Sequence, residues 1–250
     1  MRRDELVAWL NDYLKIDAIP DASLNGLQVE GKDEVQLIGV AVDASLSTFR
    51  QAQKARVDFL IVHHGLFWGK PEPITGPLKR RLETLFEGGI SLYAAHLPLD
   101  AHPEVGNNAV LARHLGLVDL EPFAEHAGSA LGVMGRLKTA TRLHDIADAL
   151  GQLTGMQALV HQGGSDLIQK VAVVSGSGSA YIGEAAAKGL DLLVTGEPKH
   201  SAFHEPFERG INVIYAGHYD TEVFGVRALA EKLLASFGLP WTFLDHPTGL

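Results

Sequence analysis

Three apolar segments of strand length each stop at a histidine. Val57-Asp58-Phe59-Leu60-Ile61-Val62 runs into His63-His64-Gly65, Ile90 to Ala95 runs into His96, and Ile211 to Ala216 is followed by Gly217-His218. Two of these histidines have an acid four residues on, Asp100 after His96 and Glu222 after His218. Imidazoles and carboxylates without thiolates, in a chain with no cysteine, form the ligand set of zinc, manganese, iron or nickel; nitrogen donors disfavour calcium. Four such side chains saturate a structural tetrahedral site. Six suit a pair of ions roughly 3.5 to 4 Å apart. Taken singly, each histidine reads better as a hydrogen-bonded core or crevice group. Taken together, they would leave several polar groups in one buried region, at about 1 to 3 kcal/mol each if unpartnered. Glu222 has a competing role as an acid in the first turn of a helix beginning near Asp220 or Thr221, and Asp100 as a solvated surface group.

These residues need strands that end together. Apolar runs rich in β-branched and aromatic residues read as buried parallel strands, whose carboxyl ends form the usual ligand crevice of an open α/β sheet. Val35 to Val42, ending at Asp43, the helix Ser47 to Arg56 and the strand into His63 make a βαβ unit. Adjacent strand residues point to opposite faces, so His63 and His64 are expected to serve two points where the strand has already ended and Gly65 turns the chain. A helix over Pro77 to Phe86, the strand into His96, and a helix from Asn108 capped by Asn107 follow.

The second half repeats the plan. Val171 to Ser175 parallels Gly39 to Asp43, Leu190 to Glu197 parallels the strand into His63, and Gly210 to His218 echoes Gly89 to His96. Between them, strands are expected at Gly132 to Leu137 and Met156 to Gln162, flanking a helix from Leu143 to Leu153. The fold class is therefore α/β, with two similar lobes built on mixed, largely parallel sheets flanked by helices and a metal site between the lobes. Residues 1–127 form the first lobe and 128–250 the second, whose final helix and strand can pack back on the first; no middle domain is inserted. Glu197, His200 and His204, beside the second-lobe strand end, are weak catalytic candidates, equally explicable as a structural helix start. Gly176-Ser177-Gly178-Ser179 has the composition of an anion nest or of a tight strand-to-helix turn. His102, His114, His126, His144, His161 and His246 read as surface residues.

The formal charge of -9 and the lack of any basic stripe argue against nucleic acid as a partner. No apolar run approaches the roughly 18 residues of a membrane span, and the amino terminus has no signal-peptide pattern, so a cytoplasmic protein is expected.

Asn25-Gly26-Leu27-Gln28-Val29, His63-His64-Gly65-Leu66-Phe67-Trp68, Ala95-His96-Leu97-Pro98-Leu99-Asp100, Gly106-Asn107-Asn108, Thr195-Gly196-Glu197 and Gly217-His218-Tyr219-Asp220-Thr221-Glu222 resemble the motifs of the NIF-three-like proteins with a dinuclear metal centre, often labelled GTP cyclohydrolase 1 type 2. The resemblance spans essentially the whole chain. It implies two divalent ions per subunit, one held by His63 and Asp100 and the other by His64 and His218, with Glu222 bridging and His96 as ligand or neighbour. It also implies a homohexameric ring. The family often has two adjacent histidines after Thr-Gly-Glu, whereas here His200 is followed by Ser201. Two functions are expected from this set: a metal-dependent hydrolase acting on a nucleotide or phosphorylated small molecule, with GTP ring opening as the family's version, or a non-catalytic metal carrier or interaction scaffold.

Overall fold

The computed structural model describes residues 1–250. Its elements run α1 (Arg3–Leu14), β1 (Gly26–Val29), β2 (Ile38–Asp43), α2 (Leu46–Ala55), β3 (Phe59–His64), α3 (Gly76–Gly88), β4 (Ser91–Ala94), α4 (Leu97–Asp100), α5 (Asn107–His114), β5 (Leu117–His126), β6 (Ser129–Arg142), α6 (Leu143–Thr154), β7 (Leu159–Gln162), β8 (Leu167–Val174), α7 (Ile182–Ala187), β9 (Leu192–Thr195), α8 (Glu205–Arg209), β10 (Asn212–Tyr215), α9 (His218–Phe237) and β11 (Trp241–Phe243). They divide into two compact units, Met1–Val105 with Gly225–His246 and Gly106–Phe224 with Pro247–Leu250.

The first unit holds a five-stranded sheet of order β1-β4-β3-β2-β11. The β2-β3, β3-β4 and β11-β2 pairings are parallel, and β1 runs antiparallel beside β4. Alternation along β3 fills two layers, as the period of two requires. Phe59 and Ile61 pack with Leu6 and Leu10 of α1 and with Val226, Leu229 and Leu233; Leu60 and Val62 pack with Phe49 of α2 and with Leu82 and Leu85 of α3. Each of these buried side chains contributes up to about 1.5 to 3 kcal/mol, which holds the strand ends in place. Local signals set the helices. Ser45 caps α2 by accepting from the Thr48 amide, and α3 starts with proline in its first turn and stops at Gly89 with φ 61°.

The second unit holds a six-stranded sheet of order β5-β6-β8-β9-β10-β7. Only β8-β9 and β9-β10 are parallel; β5-β6, β6-β8 and β10-β7 are antiparallel. Val171, Val173, Leu192 and Val194 face Leu143, Ile146 and Leu150 of α6, while Ala172, Val174 and Leu193 face Ile182 and Ala185 of α7. The strand plan of the first unit recurs here. Three parallel strands in chain order (β2, β3, β4; β8, β9, β10) carry an antiparallel strand beside the third.

Differences from the sequence reading are local. The division between units falls at residue 105, not 127, because Leu117–His126 pairs along β6 as a long hairpin in the second sheet. Its burial alternates poorly, so period alone does not reveal it. Residues 225–246 belong with the first unit, where β11 extends the sheet beside β2. The helix expected from Asn108 begins at Asn107, with Gly106 in the cap position. No helix is long and apolar enough to cross a membrane.

Candidate metal centre

In the first unit each imidazole is held through Nδ1. His63, fully buried, places Nδ1 2.9 Å from the carbonyl oxygen of Ala95, just past the end of β4. A carbonyl can only accept, so His63 Nδ1 carries the proton and Nε2 the lone pair. His64 Nδ1 lies 2.8 Å from Asp43 Oδ1, and these residues are direct register partners on β3 and β2. His96 Nδ1 lies 3.0 Å from both oxygens of Asp21. The same tautomer follows at each, because a carboxylate fixes the proton on the nitrogen facing it and turns the other outward as a ligand. β3 runs through His64 and does not end before it, yet the His63 and His64 rings are 4.8 Å apart and the His63 and His96 rings 5.0 Å. At the last rung the side chains can lean along the strand, beyond the sheet edge. One donor atom from each of His63, His64 and His96 falls within 4.8 Å of the others.

Asp100 joins this group. α4 is a single turn in which the Asp100 amide donates to the His96 carbonyl at 3.1 Å, and Asp100 Oδ2 lies 3.5 Å from His63 Nε2. At 8% exposure it is buried, which removes the surface reading. The loop before β1, and β1 itself, brace the histidines. Asn25 Oδ1 accepts from the His96 amide at 2.8 Å, Asn25 Nδ2 donates to Asp21, and Gln28 Oε1 accepts from the Leu66 amide at 2.7 Å, just after the histidine pair. Asp21 also accepts from the amides of Ser23 and Leu97. Burial opposes ionisation of Asp21, but the hydrogen bonds from His96, Asn25 and Ser23 outweigh it and hold its carboxyl well below the usual range. Asp21 and Asp43 are the functional residues that sequence reasoning missed. Asp43 had a signal, an apolar strand stopping at an acid beside the strand that stops at the histidines; Asp21 sits in an irregular loop with none.

In the second unit α9 begins at His218 itself, so Glu222 stands one turn on and on the same face. His218 Nε2 is 3.2 Å from Glu222 Oε1, and His218 Nδ1 is 3.1 Å from Glu197 Oε2. Hydrogen bonding to Glu222 is the main influence on His218; burial opposes it, and the charges of Glu222 and Glu197 add to it, pushing the imidazole pKa up to about 9. Protonated His218 thus holds one positive charge between two carboxylates, where a cation would exchange with the proton.

The glycines of residues 176–179 serve close approach. Gly176 has φ 58°, and a Cβ there would collide with Glu222 Oε1 and lie 3.1 Å from His218 Nε2. Of the two readings of this segment, the contacts favour the tight turn over the anion nest: the Gly176 amide donates to Thr221 Oγ1, the Gly178 amide to Thr195 Oγ1, and Ser179 Oγ to the Glu197 carbonyl. Glu197 is brought to His218. His200 and His204 lie exposed on the following segment, where His204 packs edge-on against Phe203. His161, read as a surface residue, is buried among Phe203, Phe207 and Tyr215.

These donors fit a borderline divalent metal. Ligand atoms about 2.1 Å from an ion lie about 3.0 Å apart across an octahedral edge and about 3.4 Å across a tetrahedral one. The His218–Glu222 separation of 3.2 Å falls within that range, and the His63–Asp100 separation of 3.5 Å lies just above its tetrahedral end.

A Deinococcus radiodurans protein named GTP cyclohydrolase 1 type 2 homolog is 57% identical over 248 residues, covering 99% of this chain and 94% of that protein. An Archaeoglobus fulgidus protein of the same name is 47% identical over the whole of both chains. The crystal structure of TTHA1606 from Thermus thermophilus superposes with TM-score 0.93 at 65% identity, over the full length of both. The family model described as Duf34/NIF3 (NGG1p interacting factor 3) matches residues 1–248, and the chain belongs to that family.

Proposed function

We propose that the chain carries a dinuclear metal centre and acts as a metal-dependent hydrolase on a nucleotide or a similar phosphorylated small molecule. The ligands of this reading are His63, Asp100, His64, His218 and Glu222, with His96 alongside. One observation carries it: His63, His64, His96 and His218 all have Nδ1 against a backbone or carboxylate oxygen, the arrangement that orients an imidazole as a metal ligand. The name GTP cyclohydrolase 1 type 2 homolog borne by relatives supports a nucleotide substrate, and the family resemblance supports a hexameric assembly in the cytoplasm.

Divalent ions bound there supply a water whose pKa falls toward neutrality and a positive field for the developing charge. The chain's own residues do the rest. Asp43, Asp21 and Glu197 fix three rings, and the Ala95 carbonyl fixes the fourth. Glu197, partly exposed and adjacent to His218, is the group suited to hold a proton during turnover. The test is elemental analysis with a nucleotide turnover assay on wild type and Glu222→Gln. Loss of most bound metal together with turnover, in a folded protein, supports the reading; full metal retention by Glu222→Gln overturns the bridging role.

A second reading, a metal carrier using the same ligands, draws support from the Gly176 and Gly178 amides, which are already engaged by threonine hydroxyls and so provide no phosphate cradle. Ready metal exchange without turnover of any nucleotide would favour it.

A further inference from the structure

Trp68 is 40% exposed, and it stands beside the first unit's donors. Its ring centroid is 5.0 Å from that of His96, edge-on at 76°, and 5.9 Å from that of His64. An indole left at a surface usually rotates or packs away. Here Nε1 donates to the Gly65 carbonyl at 2.9 Å, which pins the ring. The turn that carries it is rigid in its own right, because the Gln28 side chain fills the space under Gly65, accepts from the Leu66 amide and donates to the Leu24 carbonyl. After Trp68 the chain leaves through Gly69, with φ 69°, and residues 68–77 are all exposed. The other tryptophans are used internally: Trp9 stacks on Tyr13 and meets Phe237, and Trp241 lies in β11.

We propose that Trp68 is the stacking face for a flat heteroaromatic ring of the ligand, whose polar end reaches the donors at His64 and His96. A fixed, partly exposed indole is a large π-face, ordered before binding, and every nucleobase presents a matching one. The polar groups beside it are imidazoles at the ends of β3 and β4, already oriented by Asp43 and Asp21, so ring and ligand head are recognised by separate, fixed groups at one end of the sheet. The proposal deepens the nucleotide reading above and rests on it for the identity of the ring.

The experiment is isothermal titration of the metal-loaded full chain, as wild type, Trp68→Phe and Trp68→Ala, with guanosine, GTP and inorganic triphosphate, metal content being measured in each. Guanosine and GTP should bind roughly 10- to 100-fold more weakly to Trp68→Ala and nearly normally to Trp68→Phe, with triphosphate binding and metal content unchanged. Equal losses for triphosphate and guanosine, or no loss for guanosine, overturn the proposal. If wild type binds guanosine through Trp68 but neither phosphate compound, the stacking face stands and the phosphorylated-substrate reading falls. If triphosphate binds and the base adds nothing, the reverse holds; if no probe binds wild type, both fall.

Discussion

Asp43 and His64 are register partners on neighbouring parallel strands, and their side chains meet at 2.8 Å. A carboxylate at that position locks the imidazole tautomer and raises its basicity as a ligand. Asp43→Asn should therefore leave the fold intact and weaken metal binding by about 10- to 100-fold, read by chelator competition. Unchanged affinity would mean that the pair serves packing alone.

Asp21 makes the same contact to His96 from a loop, and its ionisation is coupled to stability. Its carboxyl is held below the ordinary range in the folded protein, so its contribution is present above the unfolded value of about 3.9 and is lost as pH falls through the lower folded value. Urea unfolding of wild type and Asp21→Asn should show wild type more stable at neutral pH, with the difference shrinking only below about pH 4. A difference that vanishes between pH 7 and pH 5 would contradict this ordering of the loop.

His218 behaves in the opposite sense. Its imidazole pKa is pushed up to about 9, mainly by the hydrogen bond to Glu222. The stabilisation from that proton is complete below an unfolded value of about 6.5 and is lost as pH rises through about 9. For an unperturbed imidazole, protons displace metal near about pH 6.5. The carboxylates on both sides of His218 extend that competition upward, so metal affinity should keep rising with pH beyond neutrality and level off near 9. Calorimetric titration with zinc across pH 6 to 10 checks it; a plateau already reached at pH 7 would show that His218 does not carry the proton.

How far the sequence could be read depends on how each residue reaches its place. His63, His64 and His96 end apolar runs of the first unit, and parallel pairing of β3 with β4 carries those ends to the same end of the sheet, so the pattern of apolar runs was enough to group them. Glu222 was legible only as an acid four residues after His218; the i to i+4 geometry that brings the two together comes from α9 starting two to three residues earlier than its sequence suggested, at His218. Asp21 was illegible, because an irregular loop has no period and its position depends on Asn25 and the Leu97 amide, contacts 4 and 76 residues away in sequence. The β5-β6 hairpin was illegible for a related reason: six of its ten β5 residues are exposed, in no regular alternation. Between an anion nest and a tight turn at residues 176–179 the sequence could not choose, because composition cannot tell an outward-facing amide from one that a threonine hydroxyl has taken.

Gly176 offers the sharpest test of close approach in the second unit. Alanine there meets two obstacles. The backbone holds φ 58°, a left-handed conformation that costs an L residue about 1 to 2 kcal/mol, and the added methyl would occupy the position of Glu222 Oε1 beside His218 Nε2. The carboxylate must move, and with it the 3.2 Å contact to His218. Gly176→Ala is expected to lower stability by about 1 to 2 kcal/mol in urea unfolding, and to lose metal out of proportion to that change when the folded fraction is assayed by elemental analysis. Gly189→Ala supplies the control, since its φ is also positive at 66° but no atom lies within 4 Å of the added carbon. It should show a similar stability loss with metal content intact. Equal metal loss in both variants would mean that backbone strain, and not the displaced carboxylate, empties the site.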